Sequence, residues 1–188
     1  MRRGLLLAPL AVGAALWWFY RDPARQAPED RDLILSPADG QVVLVERTES
    51  PRWLDGPAWR IAIFLRLWDV HVQRAPIQGQ VRLLEQQAGG HRPAFEATAA
   101  TNAGHWLGIE SAQGKALLLR TAGLVARRVT TSVQLGEHVR AGQRVGRILF
   151  GSRAELYLPA TAEPLVRPGM VVRAGETVIA RWSKWDAD

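Results

Sequence analysis

Three segments carry residues whose types and spacing can do chemistry. The first is Ser36-Pro37-Ala38-Asp39-Gly40-Gln41-Val42-Val43, which sets a carboxylate in a turn sequence. The second, Asp69-Val70-His71-Val72-Gln73-Arg74-Ala75-Pro76, alternates, so Asp69, His71 and Gln73 are expected on one strand face and the valines on the other. The third runs from Phe150 to Pro159 and places Gly151-Ser152 between two apolar runs. A histidine can serve as a base and a serine hydroxyl, with a base near it, as a nucleophile. Taken singly, each segment also has a plain structural reading. Asp39 before Gly40 suits a turn, a strand histidine is often structural, and Gly151-Ser152 suits a bulge.

The elements that must position these residues are mostly short β runs. Gln41–Val45, Ile61–Leu65, Ala116–Leu119, Arg147–Phe150 and Leu156–Leu158 are punctuated by glycine and proline, and no long 3.6-residue apolar period follows residue 32. An internal repeat supports the β reading. Gly136, Val139, Ala141-Gly142 and Val145 recur as Gly169, Val172, Ala174-Gly175 and Val178, a strand–turn–strand pattern with glycine supplying positive φ. Similar hammerhead-like elements build lipoyl- and biotinyl-type sandwich barrels. Those carriers display a lysine at a hairpin tip, and neither Lys115 nor Lys184 lies in the repeat.

Before residue 21 the chain is different in kind. Arg2 and Arg3 precede an uncharged run from Gly4 to Tyr20, which closes on Trp17-Trp18-Phe19-Tyr20 and then Arg21. That length is short for a span of about 20 residues, and the aromatic, arginine-flanked end suits an interfacial anchor. Bulky aromatics stand where a cleaved signal peptide has small residues. A buried N-terminal helix is the alternative. Residues 1–20 are therefore read as a membrane-anchoring helix, 21–32, with Pro23 and Pro28, as a linker, and 33–188 as the main domain. The expected fold is mainly β, a sandwich-barrel-like domain with hammerhead-like repeats behind an N-terminal hydrophobic helix.

Composition removes several chemistries. The 188 residues hold no cysteine, so disulfides, Cys-ligated zinc and thiol catalysis are excluded. Only two of the 24 basic residues are lysines, which disfavours pyridoxal phosphate. The net charge of +6 favours an anionic partner, and with no nucleic-acid signature the acidic membrane is preferred to nucleic acid.

Together the motifs resemble the phosphatidylserine decarboxylase proenzymes, in particular the short bacterial and archaeal type. The resemblance rests on Ser-Pro-Ala-Asp-Gly, Asp-Val-His followed by Arg-Ala-Pro, the stretch Ala122–Val129, Phe150-Gly151-Ser152-Arg153 running into Leu156-Tyr157-Leu158-Pro159, and Arg21-Asp22-Pro23. It covers essentially the whole chain. It implies a zymogen that cleaves itself between Gly151 and Ser152 into a β chain (1–151) and an α chain (152–188). Ser152 would become a covalent pyruvoyl group, a pyruvate-derived cofactor that forms a Schiff base with the substrate amine. His71 would be the base and Asp39 its orienting carboxylate, with no metal. The implied activity is a lyase of phospholipid metabolism that converts phosphatidylserine to phosphatidylethanolamine at the cytoplasmic face of the cell membrane. The partners implied are phosphatidylserine and the heterodimer of the protein's own two chains.

The sequence departs from the family pattern at four places. Arg74 stands where longer members carry a second histidine, Asn102-Ala103-Gly104-His105 lacks the usual Asn-Glu-Arg, Gln73 replaces an asparagine, and Arg66-Leu67 replaces Ser-Pro. Arg74, Arg127-Arg128 and Arg153 are candidates for the lipid phosphate. Two other readings remain: a non-enzymatic membrane-anchored sandwich-barrel adaptor or carrier, and a pyruvoyl decarboxylase of a soluble amino acid.

Overall fold

The computed structural model describes residues 9, 12–14, 16–50, 52–90, 97–123, 128–148 and 152–183. Its strands, in chain order, are β1 (Leu33–Leu35), β2 (Gly40–Glu49), β3 (Pro57–Leu65), β4 (Val72–Arg74), β5 (Gly79–Gln87), β6 (Gly104–Glu110) and β7 (Lys115–Ala122). They continue with β8 (Val129–Thr131), β9 (His138–Val139), β10 (Arg144–Ile148), β11 (Ser152–Pro159), β12 (Ala162–Pro164), β13 (Val171–Val172) and β14 (Val178–Trp182). A 3₁₀ turn, Ala97–Thr101, precedes β6. The expected β runs fall inside β2, β3, β7, β10 and β11, except that residues 149 and 150 lie outside the described set.

The topology is an internal duplication. A curled eight-stranded sheet has the order β13-β2-β3-β11-β7-β6-β5-β9, and two three-stranded sheets, β1-β14-β12 and β4-β10-β8, close over it. The two halves of the large sheet mirror one another and meet where β11 pairs antiparallel with β7. Hydrogen bonds repeat with them. Gly169 N–H donates to the Val42 carbonyl and Gly136 N–H to that of Val81, both at 2.8 Å. Leu35 N–H bonds the Pro76 carbonyl at 2.8 Å, and Arg74 N–H returns to Pro37 at 2.9 Å. In the repeat turns Gly142 and Gly175 have φ of 76° and 72°, the conformation expected there of glycine.

Alternation along β11 explains its two faces. Ala154, Leu156 and Leu158 enter the main core with Ile61, Ile63 and Leu118, whereas Tyr157 joins a second cluster with Leu54, Trp106 and Leu119. Fully burying each leucine or isoleucine among them contributes about 1.5–3 kcal/mol. Because both faces of β11 are covered, Arg153 and Glu155 are buried too.

The N-terminal region is described in part. Residues 12–14 and 16–19 are helical, and among the described residues no helix is long and apolar enough to cross a membrane. Residues 21–25, in the segment expected to act as a linker, are fastened to the barrel. Asp22 pairs with Arg74 at 3.1 Å and Arg144 at 2.6 Å, and Arg25 pairs with Asp39 at 2.8 Å and Glu176 at 2.7 Å.

Candidate active site

Ser152 opens β11, wedged between Leu65 of β3 and Ala122 of β7. Its side chain is fully buried, and its Oγ has no hydrogen-bond partner among the described residues. A buried hydroxyl without a partner costs stability, so its persistence points to a use. Gly151, the other half of the expected scissile pair, lies outside the described residues. On the opposite strand the end of β7 is braced. Asn102 Nδ2 donates to the Ala122 carbonyl at 3.0 Å and Thr121 Oγ1 to the Arg153 carbonyl at 3.2 Å.

The chain leaves β3 at Leu65, directly beside Ser152, turns through Arg66–Asp69 and arrives at His71. The His71 carbonyl accepts from Ile148 N–H at 3.1 Å, so only residues 149–151 separate that anchor point from Ser152. His71 is fully buried. Its Nδ1 lies 2.8 Å from the Asp69 carbonyl. A carbonyl only accepts, so Nδ1 carries the proton in the neutral ring and Nε2 keeps a lone pair. Burial pushes the His71 pKa below its ordinary value, which keeps the ring neutral. Nε2 is itself buried and without a partner among the described residues. The fold thus bonds the backbone of a residue carrying a neutral, oriented imidazole to Ile148, four residues before a buried serine hydroxyl.

The expectation that Asp69, His71 and Gln73 share a strand face is only partly met. Strand β4 begins at Val72, and the Asp69 carboxylate folds back onto Arg66, accepting from its N–H at 2.8 Å and its Nε at 3.0 Å. Turn closure outcompetes extension here, because the side chain satisfies a backbone donor locally. Gln73 does stay beside His71, donating from Nε2 to the His71 carbonyl at 2.9 Å.

Asp39 sits in its turn as expected. A Cβ on Gly40 would stand 2.2 Å from the Phe64 carbonyl, so only glycine admits the strand crossing that follows. The Asp39 carboxylate accepts from Ala174 N–H and from Arg25, each at 2.8 Å. Burial raises its pKa, opposed by those two donors. The group that orients His71 is the Asp69 carbonyl, while Asp39 links residues on both sides of the expected cleavage point.

Two of the arginines proposed for phosphate are otherwise engaged. Arg74 donates to Asp22, Pro23 and Gly142. Arg153 bonds Glu155 at 2.6 Å on the face of β11 opposite the core. Arg128 is exposed and Arg127 lies outside the described residues. Sequence reading missed Arg120, which lies across from Ala154 on the face that Ser152 shares. It is fully buried, donates among the described residues to Thr130, Val145 and Thr131, and burial pulls its pKa down to about 10. An arginine inside the apolar run Ala116–Leu119-Arg120 was the available signal.

The barrel thus carries a buried serine and an oriented histidine, two groups that catalysis can use. Its match is to a carboxy-lyase. The model of the family described as phosphatidylserine decarboxylase matches residues 12–180. A phosphatidylserine decarboxylase proenzyme of Symbiobacterium thermophilum is 42% identical over 180 residues, covering 95% of this chain and 83% of that protein. The proenzyme of Carboxydothermus hydrogenoformans is 42% identical over 166 residues, covering 87% and 78%. That of Ruegeria pomeroyi is 38% identical over 182 residues, covering 93% and 83%. The chain belongs to the phosphatidylserine decarboxylase family.

Proposed function

We propose that this protein cleaves itself between Gly151 and Ser152 and then decarboxylates phosphatidylserine to phosphatidylethanolamine at a membrane surface. The observation that supports this reading is that Ser152 Oγ and His71 Nε2 are both buried without a partner among the described residues, with the His71 backbone bonded to Ile148, four residues before Ser152.

In the processing step His71 Nε2 takes the Ser152 hydroxyl proton as Oγ attacks the Gly151 carbonyl carbon. The Gly151–Ser152 C–N bond breaks, the Ser152 amine is released, and an ester links Gly151 to Oγ. Loss of the Ser152 α-proton expels the Gly151 carboxylate, and water replaces the nitrogen as ammonia to leave a ketone. Oγ fits this role because no hydrogen bond must be broken before it attacks. The uncompensated Arg120 guanidinium on the same face favours negative charge developing on the carbonyl oxygen. The pyruvoyl ketone, once formed, supplies the electrophile and electron sink for loss of CO₂. His71 then holds a proton at Nε2 for return to the substrate carbon. Asp39 and Arg25 join residues 1–151 to residues 152–188 once the chain is cut. Residues 1–20 act as the anchor and 33–188 as the catalytic domain.

Mass analysis of the purified protein under denaturing conditions tests the reading. Two chains, 1–151 and 152–188, are expected, the second with a blocked N-terminus, while Ser152→Ala stays whole. A single intact wild-type polypeptide after long incubation would overturn it.

A further inference from the structure

We propose that the turn Arg66–Asp69 is a second membrane-contacting element, which seats Leu67 and Trp68 in the interfacial layer of an anionic bilayer beside the catalytic histidine. The inference rests on the membrane reading above and extends it to a part of the catalytic domain itself.

Leu67 and Trp68 are 57% and 61% exposed, although Leu65 and His71 on either side of the turn are fully buried. The exposure is built in. The Asp69 carboxylate closes the turn on the Arg66 N–H and guanidinium, and Asp69 N–H bonds the Arg66 carbonyl at 3.0 Å. Two large apolar side chains are therefore held outward by a fastened turn.

This apex is continuous with the end of the N-terminal segment. Arg21 donates from one guanidinium nitrogen to the Trp18 carbonyl and from the other to that of Trp68. Trp17, Trp18 and Tyr20 are 75%, 55% and 44% exposed, so the two segments present one apolar, aromatic face. Its chemistry is interfacial. Arg21 lies 4.3 Å from the Trp18 ring, Arg66 5.4 Å from Trp68 and Arg147 5.5 Å from Tyr20. Aromatic rings accompanied by guanidinium groups suit the headgroup layer, where the ring enters the apolar boundary and the cation meets phosphate and carboxylate. Contact at both the helix end and the turn would prevent the barrel from pivoting about a single tether. It would hold the edge bearing His71 toward the headgroups that carry the substrate.

The chain has no cysteine, which permits a clean test. Leu67→Cys, Val12→Cys and Leu135→Cys are each labelled in the full chain with an environment-sensitive fluorophore. They are then mixed with phosphatidylcholine vesicles with or without phosphatidylserine, and with lipids brominated on the acyl chains. Leu135 is 66% exposed in a repeat turn and serves as the reference. The label at 67 is expected to shift blue and be quenched on the anionic vesicles, with 135 unchanged. A response at 12 without one at 67 overturns the second element and leaves the anchor standing. Silence at both positions overturns the membrane reading as well. A shift at 67 that follows protein concentration without lipid identifies a second copy of this chain as the occupant and also overturns the proposal. A Leu67→Ser/Trp68→Ser variant, its fold checked by thermal melting, is expected to bind anionic vesicles about tenfold more weakly. Unchanged binding would count against the proposal independently of the labels.

Discussion

Phe19 lies against His71, their ring centroids 4.5 Å apart and their planes inclined by 38°. The last helical residue before the segment 21–25 thus covers the imidazole whose Nε2 has no partner among the described residues. Phe19 is itself only 8% exposed, while its neighbours Trp18 and Tyr20 face outward. The segment read as a membrane anchor is in this way also a wall of the candidate site. Burial dominates the lowered pKa of His71, and Phe19 supplies part of that burial.

Phe19→Ala should therefore admit water to the imidazole and move its pKa up toward the ordinary value of about 6.5. The sign for stability follows. A histidine kept neutral by the fold contributes fully above its unfolded value, and that contribution is lost as pH falls toward the depressed folded value. Phe19→Ala should shrink this acid-side loss and shift the acid limb of processing upward. Imidazole NMR titration of the Ser152→Ala precursor, with and without the Phe19 change, measures the shift. An unchanged His71 titration would remove Phe19 from this role.

His71→Ala is expected to slow processing by about 10²–10⁴-fold, the usual worth of a positioned base. His138→Ala should have little effect, because His138 is exposed on β9 at the far edge of the large sheet. Gel densitometry of freshly synthesised chains reads the rates. Equal rates for the two variants would exclude His71 as the base.

Glu155 is a buried carboxylate with four hydrogen bonds. It accepts two from Arg60 at 2.9 Å, one from Arg153 at 2.6 Å and one from the Tyr157 hydroxyl at 2.7 Å. Burial alone raises its pKa, but these donors and cations outweigh burial and leave it below the ordinary value. Its contribution is present above the unfolded carboxylate range and lost as pH falls through the depressed folded value. Glu155→Ala strands buried arginine charge and should cost about 3–5 kcal/mol, with less acid sensitivity than the parent. Denaturant unfolding of the Ser152→Ala precursor at pH 7 and pH 4 checks both points.

Arg25→Met should loosen residues 21–25 from the barrel and leave Asp39, among the described residues, with one donor, Ala174 N–H. The Asp39 pKa, already raised by burial, should rise further. Since Arg25 also holds Glu176, the two processed chains should separate at lower denaturant than in the parent. Size-exclusion chromatography across a urea series reads the separation.

The strands, the repeat and the motif residues were legible in the chain because their causes are local. Alternation, glycine at a turn and an apolar run ended by aromatics are properties of neighbouring residues. The duplication was visible only in its second pair of turns. The matching of Gly40 with Gly79 and of Val42 with Val81 emerges once strand register is known. Asp39 could be named from its motif, but not its attachment to Arg25 and Ala174, which lie far from it in sequence. The orienting group on His71 likewise came from turn closure at Asp69, a competition between side chain and strand that alternation does not reveal. Charge and hydropathy set the N-terminal segment apart as an expected anchor, yet the burial of Phe19 on His71 required the helix end to be tied to the barrel at Arg147 and Trp68. Sequence pattern determines which residues prefer to be extended, turned or apolar. Which polar atoms end up buried without a partner depends on long-range register, because desolvation is imposed by whatever the fold packs against them.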